Sequence, residues 1–398
     1  MTASALTASI EDDRLAARSE MRLMLAGALL YVAGSAIFYM IPAYLAFVGG
    51  RLSLGPDQLG TLAAAESLAI AITSLLGPFW IARIDRRVAV MIGASACIAG
   101  NLAIAFAPSF DLVLASRVFT GLLGEGVLFT TSFAVLGAAR NIDRAFAIGL
   151  TAAAMFGALV TAAASMLERM TPGVGPMGPL AVVALAIFPF VGWLSPRENS
   201  EPAALAPPST KRRVWNWVAI IGLFAQGFWF AAPGAFWTFV EQVATDKGLP
   251  TPTAEFAISI GELAGLGGCI VAAWQGDRLG RMGPIIGATL GLILPAVAYQ
   301  LCDGAFGLGL FLSLFYCFWN YGCVYQMSFV SGLDASGRAA VMMPAAQVFG
   351  LSFGPYCAGE LIVTHGDAAV TVSTVAFAAI GLALYLVCFA RVRGAALA

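Results

Sequence analysis

The chain has 398 residues, of which 60% are hydrophobic and 11% charged, and its mean hydropathy is +0.87. Soluble domains run near ~45–50% apolar and ~25% charged, so the composition excludes soluble enzyme classes and describes a polytopic membrane protein. The formal net charge of −1 says little by itself, because what matters in such a chain is the side of the membrane on which each charge sits.

Residues 1–21 are polar and mixed in charge, and the apolar run behind them is too long for a signal-peptide core; a cytoplasmic tail without cleavable signal is expected. Twelve apolar segments follow, at roughly 22–48, 57–82, 88–107, 111–137, 145–167, 177–195, 214–241, 253–274, 283–302, 305–330, 337–362 and 367–390. A polar stretch with Pro196, Pro202, Pro207, Pro208 and the triplet Lys211-Arg212-Arg213 separates the sixth from the seventh. The chain therefore divides into a tail (1–21), a six-helix bundle (22–195), a cytoplasmic linker (196–213), and a second six-helix bundle with a short tail (214–398). The seven cysteines lie inside apolar runs without CxxC spacing, and the single histidine, His365, falls in a short loop. Neither disulfides nor a metal site nor any cofactor is expected.

Orientation follows from the basic residues of short loops. With the N-terminus in the cytoplasm, seventeen of the 21 basic residues fall on that side, only Arg51, Arg169 and Lys247 fall on the other, and Arg117 lies inside the membrane. Both termini are then cytoplasmic, in a bacterial inner membrane.

The halves also repeat. Ile92-Gly93-Ala94-Ser95 after Arg87 matches Ile286-Gly287-Ala288-Thr289 after Arg281, Arg144-Ala145 matches Arg338-Ala339 at the same spacing, and Glu66 matches Glu262. Pro42 in the first helix corresponds to Pro233 in the seventh. Parallel six-helix repeats predict two bundles around a central cavity. The loop Gly276-Asp277-Arg278-Leu279-Gly280-Arg281 resembles the D-R-x-G-R signature of the major facilitator superfamily. Arg117-x-x-x-Gly121-x-x-Gly124 resembles that superfamily's R-x-x-x-G-x-x-G element, associated with proton-coupled members. The resemblance covers the whole chain and implies an all-α membrane fold of 12 transmembrane helices in two pseudo-symmetric bundles. Two departures stand out. The loop Arg83-Ile84-Asp85-Arg86-Arg87 lacks the motif's glycine, and the G-P pair of drug antiporters is missing from helix five while Gly354-Pro355 occurs in helix eleven.

Four buried ionisable residues are candidates for proton coupling. Glu66 and Arg117 lie at comparable depth in helices two and four, at ~1.5 Å of rise per residue, so they can pair. Glu125 is deeper, without an evident basic partner, and about 80° round the helix from Arg117, which makes it the better proton carrier. Glu262 repeats Glu66 without a second arginine. The glycines at 121, 124 and 126 suit close helix packing. Arg117 has a plainer alternative as a buried strut, and Glu66 and Glu262 as packing links that cap backbone or serine groups.

For the cytoplasmic gate, Asp277 is paired across the halves with Arg144, and Asp85 with Arg338; Arg86, Arg278 and Arg281 belong to the same loops. Cavity-lining helices one, four, seven and ten, as the resemblance implies, carry many aromatics, among which Gln226, Trp229, Asn320 and Tyr321 are the candidate solute contacts. Lipid-facing or interfacial positions are the alternative for such aromatics. The expectation is a secondary transporter of a small, amphiphilic or aromatic organic solute, proton-coupled in the uptake direction. Proton-driven efflux is the alternative, and a non-transporting sensor or scaffold the third. The partners expected are the solute, protons and the lipid bilayer, with no nucleic acid, and the chain is taken as a monomer.

Overall fold

The computed structural model describes residues 3–81, 83–139, 142–194, 217–276, 278–302, 304–333 and 338–397. The segment 196–213, expected as a linker, lies outside the described residues. Within them the secondary structure is helical, as an apolar chain in hydrocarbon requires, because only helices satisfy their own backbone groups without water. Twelve segments stand where the apolar runs fall. They are α1 (Ala3–Leu52), α2 (Pro56–Leu75), α3 (Arg86–Phe106), α4 (Phe110–Leu136), α5 (Ile142–Ala162), α6 (Met177–Leu185), α7 (Trp217–Asp246), α8 (Thr251–Gln275), α9 (Met282–Leu301), α10 (Ala305–Leu333), α11 (Arg338–His365) and α12 (Ala368–Leu397). Ten are long and apolar enough to cross a bilayer. The sixth is shorter and continues as a 3-10 turn over Phe188–Trp193, while α11 has the length but carries Pro344 and Pro355.

Successive segments reverse direction, so the bundle has an N-terminal face, where α1 enters, and a far face, where α1 ends. On the far face the repeat is visible in how two lone cations are used. Arg51, ending α1, donates to the carbonyl oxygens of Ile104 (2.7 Å) and Ala105, which end α3. Lys247, just past α7, donates to Tyr299, Gln300 and Cys302 at 2.8, 2.7 and 2.9 Å, where α9 ends. Each cation satisfies carbonyls that the helix leaves open and meets the negative end of its dipole.

The halves meet along a seam of α1, α2 and α5 against α7, α8 and α11. Trp237 Nε1 donates to the Phe38 carbonyl (3.0 Å) and Ser352 Oγ to that of Ala64 (2.8 Å). Nearer the far face, Ser165 donates to Glu255 through both N (3.2 Å) and Oγ (2.8 Å). Gly60 and Gly359 face one another there: a Cβ on Gly359 would stand 2.6 Å from the Pro56 carbonyl oxygen, so only glycine lets α2 and α11 come this close.

Candidate functional site

The centre of the first half is an ion cluster closed off from solvent. In α4, residues Thr120–Glu125 form a π-helical turn, with Gly126 N–H donating back to the Gly121 carbonyl. One residue more than an α-helix holds turns the helix beyond it back by about 100°. Arg117 and Glu125 therefore share a face. This corrects the expectation that Glu125 lies apart without a basic partner: its Oε1 stands 3.5 Å from Arg117 Nη1. The same Nη1 lies 2.6 Å from Glu66 Oε1. Nη2 donates to Asn101 Oδ1 (3.1 Å) and to Met177 Sδ (3.0 Å), and the guanidinium carbon sits 4.6 Å from the Tyr44 ring centroid.

Five helices thus supply the shell: α1 (Tyr44), α2 (Glu66), α3 (Asn101), α4 (Arg117, Glu125) and α6 (Met177). Arg117 is 0%, Glu125 1% and Glu66 2% exposed. Glu66 has its short bond to arginine, whereas neither oxygen of Glu125 has a hydrogen-bond partner. Glycines make the cluster possible. A Cβ on Gly121 would stand 2.7 Å from Ala69 Cβ and 2.9 Å from the Glu66 carbonyl oxygen, and one on Gly124 2.7 Å from Cys97 Sγ. The lack of a Cβ at both positions lets α4 lie directly on α2 and α3.

Glu262 is elsewhere. It sits in α8 at the seam, 1% exposed, with both oxygens lacking a hydrogen bond. A Cβ on Gly157 of α5 would stand 3.6 Å from its Oε2. It is a second, separate buried carboxyl that touches both halves.

Two of the four solute contacts expected from sequence face the wrong way. Trp229 is 0% exposed and donates through Nε1 to Thr289 Oγ1 (2.9 Å) of α9, with Gly322 lying against its ring and Gly381 against its backbone. Gln226, equally buried, accepts from the Tyr385 hydroxyl of α12. Both are struts inside the second half. Asn320 and Tyr321 are partly exposed and turn toward α8: Asn320 Nδ2 donates to the Tyr316 carbonyl (3.1 Å) and Tyr321 Oη accepts from Gln275 (2.9 Å). The aromatics at the seam are others. Trp237, Tyr316 and Trp319 meet in sequence, edge-on or tilted, at 4.6 and 5.0 Å between ring centroids in the second half, and Tyr31, Phe129 and Phe38 likewise at 5.6 and 6.1 Å in the first.

At the N-terminal face, Asp85 caps α3 by accepting from Arg87 N (2.8 Å). Arg281 Nη1 donates to the Ser328 carbonyl (3.2 Å) near the end of α10, and the Arg278 guanidinium lies 5.6 Å from the Trp274 ring. Arg86 is half-buried at the start of α3. Asp277, and the side chains of Arg144 and Arg338, lie outside the described residues.

A bundle of this topology with charges sealed inside it is the frame of a membrane transporter. The sequence profile of the Major Facilitator Superfamily matches residues 23–355, and the chain belongs to that family. It is a transporter and not an enzyme. No curated protein sequence matches it significantly. Among solved structures, the D-xylose-proton symporter is similar with a TM-score of 0.69 and 15% identity, over 91% of this chain and 96% of that one. The nucleoside transporter NupG is similar with a TM-score of 0.67 and 13% identity, over 94% of this chain and 98% of that one. A mutant of NupG is similar with a TM-score of 0.68 and 13% identity, over 94% and 99%. At such identities the likeness is one of fold.

Proposed function

We propose that the chain is a proton-coupled carrier that takes up a small amphiphilic or aromatic organic solute by alternating access. The observation that carries this is the sharing of one guanidinium by two carboxylates in a core closed off from solvent. With both carboxylates ionised the cluster holds a net negative charge in low dielectric, and one proton makes it neutral. Glu66, held by its short bond to Arg117, remains the counter-ion. Glu125, without a hydrogen bond, is the place for the proton. Glu262, at the seam, is a second proton-accepting group placed where both halves feel its charge.

Contacts near the far face, Ser165 with Glu255 and α2 with α11, tie the halves together there. With the N-terminal face taken as cytoplasmic, on the strength of its basic loops, Asp277 with Arg144 and Asp85 with Arg338 latch that side when the site opens outward; here Asp85 caps α3. The solute lies between the aromatic rows of the two halves, with Asn320 and Tyr321 at its margin. The protein works as a monomer in a bacterial inner membrane, both termini cytoplasmic.

The R-x-x-x-G-x-x-G element around Arg117 goes with proton coupling in either direction, so proton-driven efflux is the second reading. Proteoliposomes under an imposed pH gradient, offered radiolabelled aromatic acids, amines, nucleosides and sugars, separate the two. Accumulation along an inward proton gradient supports uptake; expulsion supports efflux. Solute flux that ignores the gradient overturns proton coupling, and no flux of any solute supports a non-transporting role.

A further inference from the structure

The far face carries a cavity of about 600 Å³ between the halves that the buried cluster does not use. Where α1 and α2 line it the wall is apolar, with Leu45, Phe47 and Leu59; the second-half wall carries Glu241 and Gln242 of α7 and Glu255 of α8. Glu168 and Arg169, on the short helix Ala164–Met170, also line it. Three carboxylates thus line the cavity with one guanidinium, that of Arg169, which is exposed and donates to the Ser165 carbonyl (3.3 Å); Arg51 stands behind Glu168, the two meeting at Gly173.

The oxygens differ in what they have. Both of Glu255 are taken by Ser165, and Glu168 Oε1 accepts from Gly173 N (3.1 Å). Glu241 is 2% exposed, and neither of its oxygens has a partner; Glu168 Oε2 and Gln242 Oε1 are buried and unpartnered as well. Four orphaned oxygens therefore belong to three residues that line one cavity, and every one of them is an acceptor. Buried acceptors left unpaired are costly, and a negative charge among them more so. What satisfies both is a ligand that brings N–H donors and a positive charge together. A neutral alcohol supplies the donor alone. A bare metal ion is small for this volume and would leave the Phe47 wall without a neighbour.

We propose that this vestibule is a binding site for a small amphiphilic organic amine. Its ammonium group sits on Glu241, with Gln242 Oε1 and Glu168 Oε2 as further acceptors, and its apolar body lies against Phe47 and Leu59. The site is distinct from the Arg117 cluster and stands whether or not transport is coupled to protons.

The full-length protein in detergent, titrated with phenethylammonium by calorimetry, provides the test. Saturable binding is expected, and Glu241→Gln, nearly isosteric, weakens it about tenfold or more through loss of a charge-assisted bond. Glu241→Asp retains most of it. The neutral isostere 2-phenylethanol fails to compete, and sodium at constant ionic strength fails to displace. A second variant guards against misfolding: Gly50 lines the cavity, and a Cβ there would meet open space, so Gly50→Trp adds bulk at the cavity without a clash at its Cβ and weakens binding. Equal affinity in Glu241→Gln and wild type, competition by the alcohol, or full displacement by sodium would each overturn the proposal, as would undiminished binding in Gly50→Trp.

Discussion

Arg117 and Glu125 are eight positions apart on α4, and the π-helical turn between them brings the carboxylate to 3.5 Å from the guanidinium. A regular helix would leave them about 80° apart. The turn thus converts a simple Arg117–Glu66 pair into a three-membered cluster with one charge too many, which is the physical basis for reading it as a proton-holding device.

The first prediction concerns the cation. Arg117→Met leaves Glu66 and Glu125 buried without a counter-charge. Breaking one side of a buried pair costs about 3–5 kcal/mol, so the variant unfolds at markedly lower temperature in detergent. Adding Glu66→Gln to it recovers much of the loss. Equal melting of the single and double variants, followed by circular dichroism, would show that the two residues are not coupled.

The seam offers a second. Ser165 and Glu255 side chains approach to 2.8 Å across the halves near the far face. In a background with the seven native cysteines replaced, Ser165→Cys with Glu255→Cys is bridged by a short bis-methanethiosulfonate reagent, which spans the length that the glutamate side chain spans in the native contact. If alternating access opens this face, the cross-link arrests flux and reduction restores it. Unimpaired flux in the fully cross-linked protein would show that this contact need not separate.

A third is pH dependence at the far face. Asp367, in the loop before α12, is pushed above its ordinary value of 3.8 by partial burial and by the nearby Asp246, with Lys247 opposing. A carboxyl whose pKa is raised on folding binds protons more tightly in the native state. Its stabilising effect is full below the unfolded value and is lost as pH rises through the folded one. Asp367→Asn removes this dependence, so the variant melts above wild type at neutral pH and the gap closes in acid. A gap that is constant with pH would mean that the shift has no weight in stability.

Much of this was legible before the fold was known. Apolar runs of bilayer length fix where helices lie, and a common depth for Glu66 and Arg117 brings the pair together. The π-helical turn was not, because composition does not state backbone phase; the glycines at 121, 124 and 126 were its only trace. Gln226 and Trp229 were misassigned for a related reason. Helix α7 is apolar on every side, so its periodicity does not tell the face toward α9 and α12 from the face toward the seam. Asn101 and Met177, which complete the shell of Arg117, come from α3 and α6 and are ordinary in their local sequence. Glu241 and Glu255 were passed over because acids near the ends of spans look like interfacial residues, and only packing reveals that Glu241 is sealed in.

The central claim is that Glu125 holds a proton beside Arg117 and Glu66. Infrared difference spectra of the reconstituted protein between alkaline and acid pH test it without needing to know the solute. The carboxylic C=O stretching band that appears on acidification in wild type is expected to lose one component, that of a carboxyl in a dry surrounding, in Glu125→Gln. Identical bands in wild type and Glu125→Gln would contradict the account.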